Sequence, residues 1–299
     1  MIIDLGAFDH ALVGRTLDGG RLTHDSRTIE PGDVFAALRP GDPATIGHIR
    51  SALDRGAQAV LVPSGLVEAL ALDERVIGLV DFTDTIGRIA SAWYGDPSAD
   101  LVVVGVTGTN GKTSTVQLLA PAWHSLGAKS ATIGTLGAAV HGDPLTLNGF
   151  TTPPVTRVHE LLAVFRDRGV THVAMEVSSH ALEEHRVAGV EFDVVGFTNL
   201  TRDHLDYHGT MEHYAAQKAK IFDLHGSRVP TSGRRGVTKP AWPLAVGNLD
   251  DPFVAQRLAA LDPDRASIGV SSRGAAGARL QAVDLRFEQA ATRFALVLD

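Results

Sequence analysis

The stretch Leu101-Val-Val-Val-Gly-Val-Thr-Gly-Thr-Asn-Gly-Lys-Thr-Ser114 decides the fold. An apolar, mostly β-branched run breaks into a glycine-rich turn ending Gly111-Lys112-Thr113, and a helix-compatible segment follows. In such an arrangement a buried strand fixes the loop, glycines let the backbone approach an anion, and the helix turns its free N–H groups toward it. Gly108, Thr109, Asn110, Gly111, Lys112, Thr113 and Ser114 are therefore candidate nucleotide contacts. Lys112 is placed to reach terminal phosphates and Thr113 to ligate Mg²⁺. Position 106 is Val where the general phosphate-loop pattern has its first glycine, but the order of strand, loop, Lys-Thr and helix is kept. The reading is an ATP or GTP site on an α/β fold.

Working outward, residues 1–97 read as a small N-terminal α/β domain and 98–299 as a P-loop domain with a mostly parallel sheet. In the first, strands at 33–38 and 57–62 flank a helix at 46–56, and a second helix at 85–94 stops at Gly95-Asp-Pro-Ser98, a hinge-like composition. In the second, strands are expected at 101–106, 171–177 and 192–198, a strand and turn at 244–251, and helices at 113–126, 155–168, 210–222 and 252–261. Pro121 is expected to kink or shorten the 113–126 helix. Residues 226–241 read as an irregular surface loop, and 279–298 alternate like a β-hairpin.

At 299 residues the chain accommodates two cores, and its 44% hydrophobic and 20% charged content is that of an ordinary globular protein. The net charge of -7, without a basic stripe, argues against nucleic acid as a partner. The absence of cysteine excludes disulfides, thiolate zinc sites and cysteine nucleophiles. Met1-Ile-Ile-Asp-Leu-Gly lacks the form of a signal peptide and no apolar run is long enough for membrane insertion, so a cytoplasmic location is expected.

Three further segments follow strands, where open α/β sheets build their sites. In Met175-Glu-Val-Ser-Ser-His180, Glu176 is an acid on an apolar strand. A buried carboxylate needs a partner, and Mg²⁺ is the natural one beside a phosphate loop; a strand-end carboxylate in water is the alternative. Thr198-Asn-Leu-Thr-Arg-Asp-His-Leu-Asp-Tyr-His208 is dense in Asp and His. A zinc reading of His204, His208 and His213 stands beside it, although Leu205 to Thr210 does not read as a regular helix. In Tyr214-Ala-Ala-Gln-Lys-Ala-Lys220, sequence physics does not separate Lys218 from Lys220.

Together these segments resemble the Mur ligases, ATP-dependent enzymes that add amino acids to the nucleotide-linked peptidoglycan precursor, and most nearly the members that add the third residue. The resemblance runs over nearly the whole chain: Asp25-Ser-Arg27 with Pro31-Gly-Asp-Val-Phe35, Thr107 to Thr113, Thr151-Thr-Pro153, Glu176 to His180 with His185-Arg186, Thr198-Asn-Leu to His208, and Asn248-Leu-Asp-Asp251.

The resemblance implies that the N-terminal domain grips a uridine nucleotide through Ser26, with Asp25 and Arg27 shaping the turn and Gly47-His48 in the neighbouring loop. It implies that Thr151, Thr152, Ser178 and Arg186 hold the muramoyl-peptide end. Lys112 matches the phosphate-binding lysine, Thr113 and Glu176 the first Mg²⁺ site, His204 the second-metal ligand, and Lys218 a lysine carbamylated by CO₂. The substrates implied are ATP and UDP-N-acetylmuramoyl-L-alanyl-D-glutamate. The amino acid added, meso-diaminopimelate or lysine, is left open.

Two departures are noted: Glu184 stands where the family tends to place Gln, and His24 where an apolar neighbour of the uracil is common. Nothing corresponds to the family's C-terminal amino-acid-binding domain, and the sheet of the central domain is expected to lack closing elements. Three expectations follow: a truncated piece, half of a split enzyme whose missing domain comes from a separate chain, or a non-catalytic binding paralogue. The intact motifs favour truncation. A folylpolyglutamate-synthase-type ligase is the enzymatic alternative, against which the Asp25-Ser-Arg27 element speaks, and a simple P-loop kinase or GTPase leaves 151–153 and 176–180 without a purpose.

Overall fold

The computed structural model describes residues 2–3, 20–70, 73–144, 146, 149–224, 241–289 and 291–298. The loop expected at 226–241 lies outside them except for its last residue, as does most of the N-terminal hexapeptide. The chain forms two compact units. One comprises Met1–Pro97 with Pro153–Val164 and Glu184–Val190, and the other Ser98–Thr152, Phe165–Glu183 and Glu191–Asp299.

The first unit is built on a five-stranded parallel sheet of β1 (Ile2–Ile3), β2 (Leu22–Thr23), β3 (Val34–Ala36), β4 (Ala59–Pro63) and β5 (Val76–Leu79), in the order β1-β5-β4-β3-β2. Alternation along the strands splits its core into two layers. Phe35, Val60 and Val62 pack with Ile49 and Ala52 of α1 (Thr45–Asp54). Val34, Ala36, Ala59 and Leu61 pack with Phe82, Ile86, Ile89 and Ala90 of α2 (Phe82–Trp93), whose spacing makes one apolar stripe. β3, α1 and β4 form the expected β-α-β unit, with β3 and β4 adjacent and parallel.

The second unit carries a nine-stranded sheet. Its strands are β6 (Val102–Thr107), β7 (Ser130–Gly134), β8 (Gly137–Val140), β9 (His172–Glu176), β10 (Val194–Phe197), β11 (Leu244–Asn248), β12 (Ser267–Ser271), β13 (Leu280–Phe287) and β14 (Thr292–Leu298). The order is β14-β13-β12-β11-β10-β6-β9-β7-β8, parallel except for the β7/β8 and β13/β14 pairs. The helices are α3 (Lys112–Ser125), α4 (Val155–Asp167, whose first ten residues belong to the first unit), α5 (Ser179–Glu183), α6 (Leu205–His208), α7 (Met211–Ala219) and α8 (Pro252–Ala259). Val104, Val106 and Ala174 on β6 and β9 pack against Val116 of α3. This contact anchors the loop between β6 and α3 at the centre of the sheet.

One local expectation is corrected. α3 runs through Pro121 to Ser125 rather than stopping short. Residues 205–208 form a single α-helical turn, begun by His204 in a left-handed conformation and closed at Gly209. At the sheet's edge the β13/β14 hairpin exposes Phe287, Phe294, Leu296 and Leu298. Among the described residues no helix is long and apolar enough to cross a membrane.

Candidate nucleotide and metal site

The loop between β6 and α3 is held from behind by the end of β10. Thr109 N donates to Asn199 O (2.8 Å), Asn110 N to Asn199 Oδ1 (3.0 Å), and Thr198 Oγ1 to Asn110 O (2.6 Å). Asn248 Nδ2 in turn donates to Thr198 O (2.9 Å), and Asp251 Oδ2 accepts from Leu200 N (2.8 Å). The Thr198-Asn-Leu and Asn248-Leu-Asp-Asp motifs are thus a buttress for the phosphate-type loop. Gly108 has φ +145°, and a Cβ there would lie 1.9 Å from Thr198 Oγ1. Any side chain at that position would push the loop off its support.

Glu176, at the end of β9 and 1% exposed, is the acid of this site. Its Oε2 accepts from Thr113 Oγ1 (2.9 Å) and Thr135 Oγ1 (3.2 Å), and its Oε1 accepts from Thr135 N (2.8 Å). It is therefore not a strand-end carboxylate in water. Thr135 and its neighbour Gly134 escaped sequence reasoning because β7 was not recognised. A Cβ on Gly134 would lie 2.2 Å from Glu176 Oε1, so only glycine leaves room for the carboxylate. Thr152 Oγ1 donates to the Glu176 carbonyl (2.8 Å) and accepts from Ser178 N (3.1 Å), while Thr151 Oγ1 lies 3.1 Å from Thr135 Oγ1.

Lys112 Nζ donates to Gly108 O (2.7 Å) and Thr109 O (2.9 Å). Lys218, on the buried face of α7 and 1% exposed, donates to the same Gly108 oxygen (2.8 Å) and sits 4.7 Å from the Tyr214 ring centroid. Burial, and then the charge of Lys112, push Lys218 down to about 7, and burial also lowers Lys112. Tyr214 joins this group through its hydroxyl, 3.1 Å from Thr109 Oγ1.

His204 reaches the group only through rings. Its centroid is 6.2 Å from that of Tyr214 and 5.1 Å from that of His180, and its Nε2 lies 3.4 Å from Asp203 Oδ2. His204 has a left-handed backbone (φ 50°), and among the described residues the His and Glu group with ion-holding spacing is Glu183, His208 and His213, without His204.

Ser26 and Arg186 belong to the first unit, whereas Thr151, Thr152 and Ser178 belong to the second. Ser26 is buried in a 3₁₀ turn capped by Asp25, which Arg27 holds down to about 2. Arg186 donates from Nε and Nη2 to Glu184 Oε2 (3.0 and 2.9 Å), so the Glu at 184 occupies part of that guanidinium's donor fork.

A strand-anchored glycine loop, a Lys-Thr helix start and a hydroxyl–carboxylate pair give this unit the form of a P-loop-type α/β domain. The oxygen pair Thr113 Oγ1 and Glu176 Oε2 fits Mg²⁺, a hard cation that takes oxygen ligands. Comparison with known proteins narrows the class. The description "Mur ligase middle domain" matches residues 106–298. The UDP-N-acetylmuramoyl-L-alanyl-D-glutamate--2,6-diaminopimelate ligase of Xanthomonas campestris pv. campestris (strain 8004) is 45% identical over 284 residues, covering 95% of this chain and 54% of that protein. The ligase of the same name from Pseudomonas aeruginosa is 42% identical over 277 residues, covering 92% and 53%. A solved structure of a 2,6-diaminopimelate ligase of this kind superposes with TM-score 0.75 at 29% identity, covering 93% of this chain and 53% of its own. The MurF ligase of Thermotoga maritima in complex with ADP shares the fold (TM-score 0.59, 20% identity, 93% and 55% covered). The chain belongs to the Mur ligase family, and it spans about half the length of the curated relatives it matches.

Proposed function

We propose that this chain is the precursor- and ATP-binding part of a ligase that joins an amino acid, through an amide bond, to the D-glutamate of UDP-N-acetylmuramoyl-L-alanyl-D-glutamate in peptidoglycan synthesis. Diaminopimelate is the favoured third residue, because it is the one named for relatives at 42–45% identity. The observation that carries the reading is the buried Glu176 bonded to Thr113 directly behind the loop on which Lys112 and Lys218 converge. Such chemistry belongs in the cytoplasm, where ATP is available.

In this reading the loop N–H groups and Lys112 bind the phosphates, and Thr113 with Glu176 holds a Mg²⁺. His204 serves a second metal position. Lys218, as the neutral amine, adds CO₂ and loses a proton to become a carbamate, replacing a cation with an anionic oxygen ligand. Bound Mg²⁺ supplies charge neutralisation at the transferred phosphoryl group. The precursor carboxylate attacks the γ-phosphate, ADP leaves, and the incoming amine displaces phosphate from the acyl phosphate. Ser26, with Gly47 and His48 in the first turn of α1, serves the uridine end, and Thr151, Thr152, Ser178 and Arg186 the peptide end.

Calorimetric titration with the UDP-linked dipeptide and with MgATP tests this. Binding of both is expected. Binding of ATP without the UDP precursor favours a folate-type ligase, and binding of precursor without ATP favours a non-catalytic binding paralogue.

A further inference from the structure

Three side chains of the second unit converge beside the Tyr214 ring, whose centroid is 5.1 Å from that of His208: Glu183 at the end of α5, His208 at the end of α6 and His213 in the first turn of α7. One ligand atom from each lies within 4.8 Å of the other two. His213 Nε2 is 2.9 Å from Glu183 Oε1, and His208 Nδ1 is 3.2 Å from Glu183 Oε2.

The second approach is not a hydrogen bond. His208 Nδ1 and Glu183 Oε2 are both buried with no hydrogen-bond partner among the described residues, and the His208 side chain is 0% exposed. On its other edge the ring meets Ser179 Oγ at 2.9 Å. With the ring proton on Nε2 and donated to that hydroxyl, Nδ1 turns a lone pair toward a carboxylate oxygen. Two unshared lone pairs facing each other away from water are costly, and a cation between them removes the cost.

We propose that Glu183, His208 and His213 bind one zinc-type divalent ion, with a fourth position left to water. Two imidazoles and a carboxylate are a tetrahedral zinc donor set and favour such ions over Mg²⁺. Zinc with bonds of about 2.0–2.1 Å sets its ligand atoms roughly 3.4 Å apart, a few tenths of an ångström wider than the two contacts to Glu183. Ser179 is the outer partner that fixes the ring of a metal-bound histidine. The ion ties α5, α6 and α7 together, and Lys218 lies on α7 five residues beyond His213. Its place in the molecule is that of a staple for that helix, separate from the Thr113–Glu176 pair.

The test is zinc binding to the whole chain by equilibrium dialysis, with the visible spectrum of bound cobalt(II) reporting tetrahedral nitrogen–oxygen ligation. One zinc per chain and a tetrahedral cobalt spectrum are expected. His213→Ala removes a half-exposed side chain and Glu183→Gln is isosteric, so both should fold by circular dichroism. Each is expected to weaken zinc at least about 10–100-fold, the loss that even outer-shell changes bring. Glu176→Gln is expected to leave zinc affinity within a few-fold. Absence of saturable binding, unchanged affinity in His213→Ala, or an equal loss in Glu176→Gln would overturn the proposal.

Discussion

Lys112 and Lys218 aim their ammonium nitrogens at one oxygen, the Gly108 carbonyl, from 2.7 and 2.8 Å. Burial first, and then the charge of Lys112, disfavour the protonated form of Lys218 and push it down to about 7. Near neutral pH part of the Lys218 population is thus a free amine, the form that reacts with CO₂. A carbamate there would exchange repulsion from Lys112 for attraction.

Lys112→Ala should weaken MgATP by about 10–150-fold, the worth of a charge-assisted hydrogen bond or two, and leave UDP-precursor affinity within a few-fold. Calorimetry on both ligands checks this. Equal loss of both would argue against separate binding regions.

Lys218→Met should be more stable than the wild type at pH 7 yet inactive in the full-length ligase. Because the folded pKa, about 7, lies below the ordinary lysine value of 10.5, the unfolded chain takes up this proton first as pH falls. The lysine's contribution is therefore least unfavourable above 10.5 and worsens toward 7, at about 1.4 kcal/mol per pKa unit, up to a few kcal/mol. Denaturant melts at pH 7 and 9.5 should show the gap between variant and wild type narrowing at the higher pH. For Lys218→Ala, partial rescue of activity by small carboxylic acids is expected, whereas full activity without rescue would remove Lys218 from the metal site.

Gly134→Ala should displace the Glu176 carboxylate, because the new methyl would lie 2.2 Å from Oε1. Overpacking of this kind costs about 1–3 kcal/mol of stability. The diagnostic readout is Mg²⁺ titration of nucleotide binding, with an expected loss of about tenfold or more in apparent Mg²⁺ affinity. Unchanged Mg²⁺ dependence would show that the carboxylate does not need that space.

His159 should make the first unit acid-labile. The ring is fully buried, Nε2 donates to Ala188 O (2.9 Å), Nδ1 has no partner among the described residues, and burial pushes its pKa down to about 4. As pH falls through 6.5 the unfolded chain binds a proton that the folded one refuses until about 4. Stability is thus complete above 6.5 and declines toward 4, by at most about 3 kcal/mol. Urea melts of the wild type and His159→Gln at pH 7, 5.5 and 4.5 should show a shallower pH slope in the variant; identical slopes would contradict the assignment.

The strand–loop–helix of 101–126 was legible because its chemistry is local, and the need of Glu176 for a partner was legible from burial cost alone. Its partners were not equally so. Thr113 lay within the motif, whereas Thr135 follows Ser130-Ala-Thr-Ile-Gly134, too short a run to announce a strand. Lys218 and Lys220 separated only once α7 buried Tyr214, Ala215 and Lys218 and ended at Ala219, leaving Lys220 in the 3₁₀ turn that follows. His204 stands outside the group that His208 joins with Glu183 and His213 among the described residues, a membership set by α5, which spacing within 204–213 does not report.

Nucleotide titration of the wild type and Glu176→Gln, each with Mg²⁺ and with Mg²⁺ chelated, bears most directly on the reading of the 107–113 loop. ATP should bind the wild type tightly only with Mg²⁺, and Glu176→Gln should lose affinity only when Mg²⁺ is present. Affinity indifferent to Mg²⁺, or untouched by the substitution, would mean that Thr113 and Glu176 do not hold the metal of a bound nucleotide.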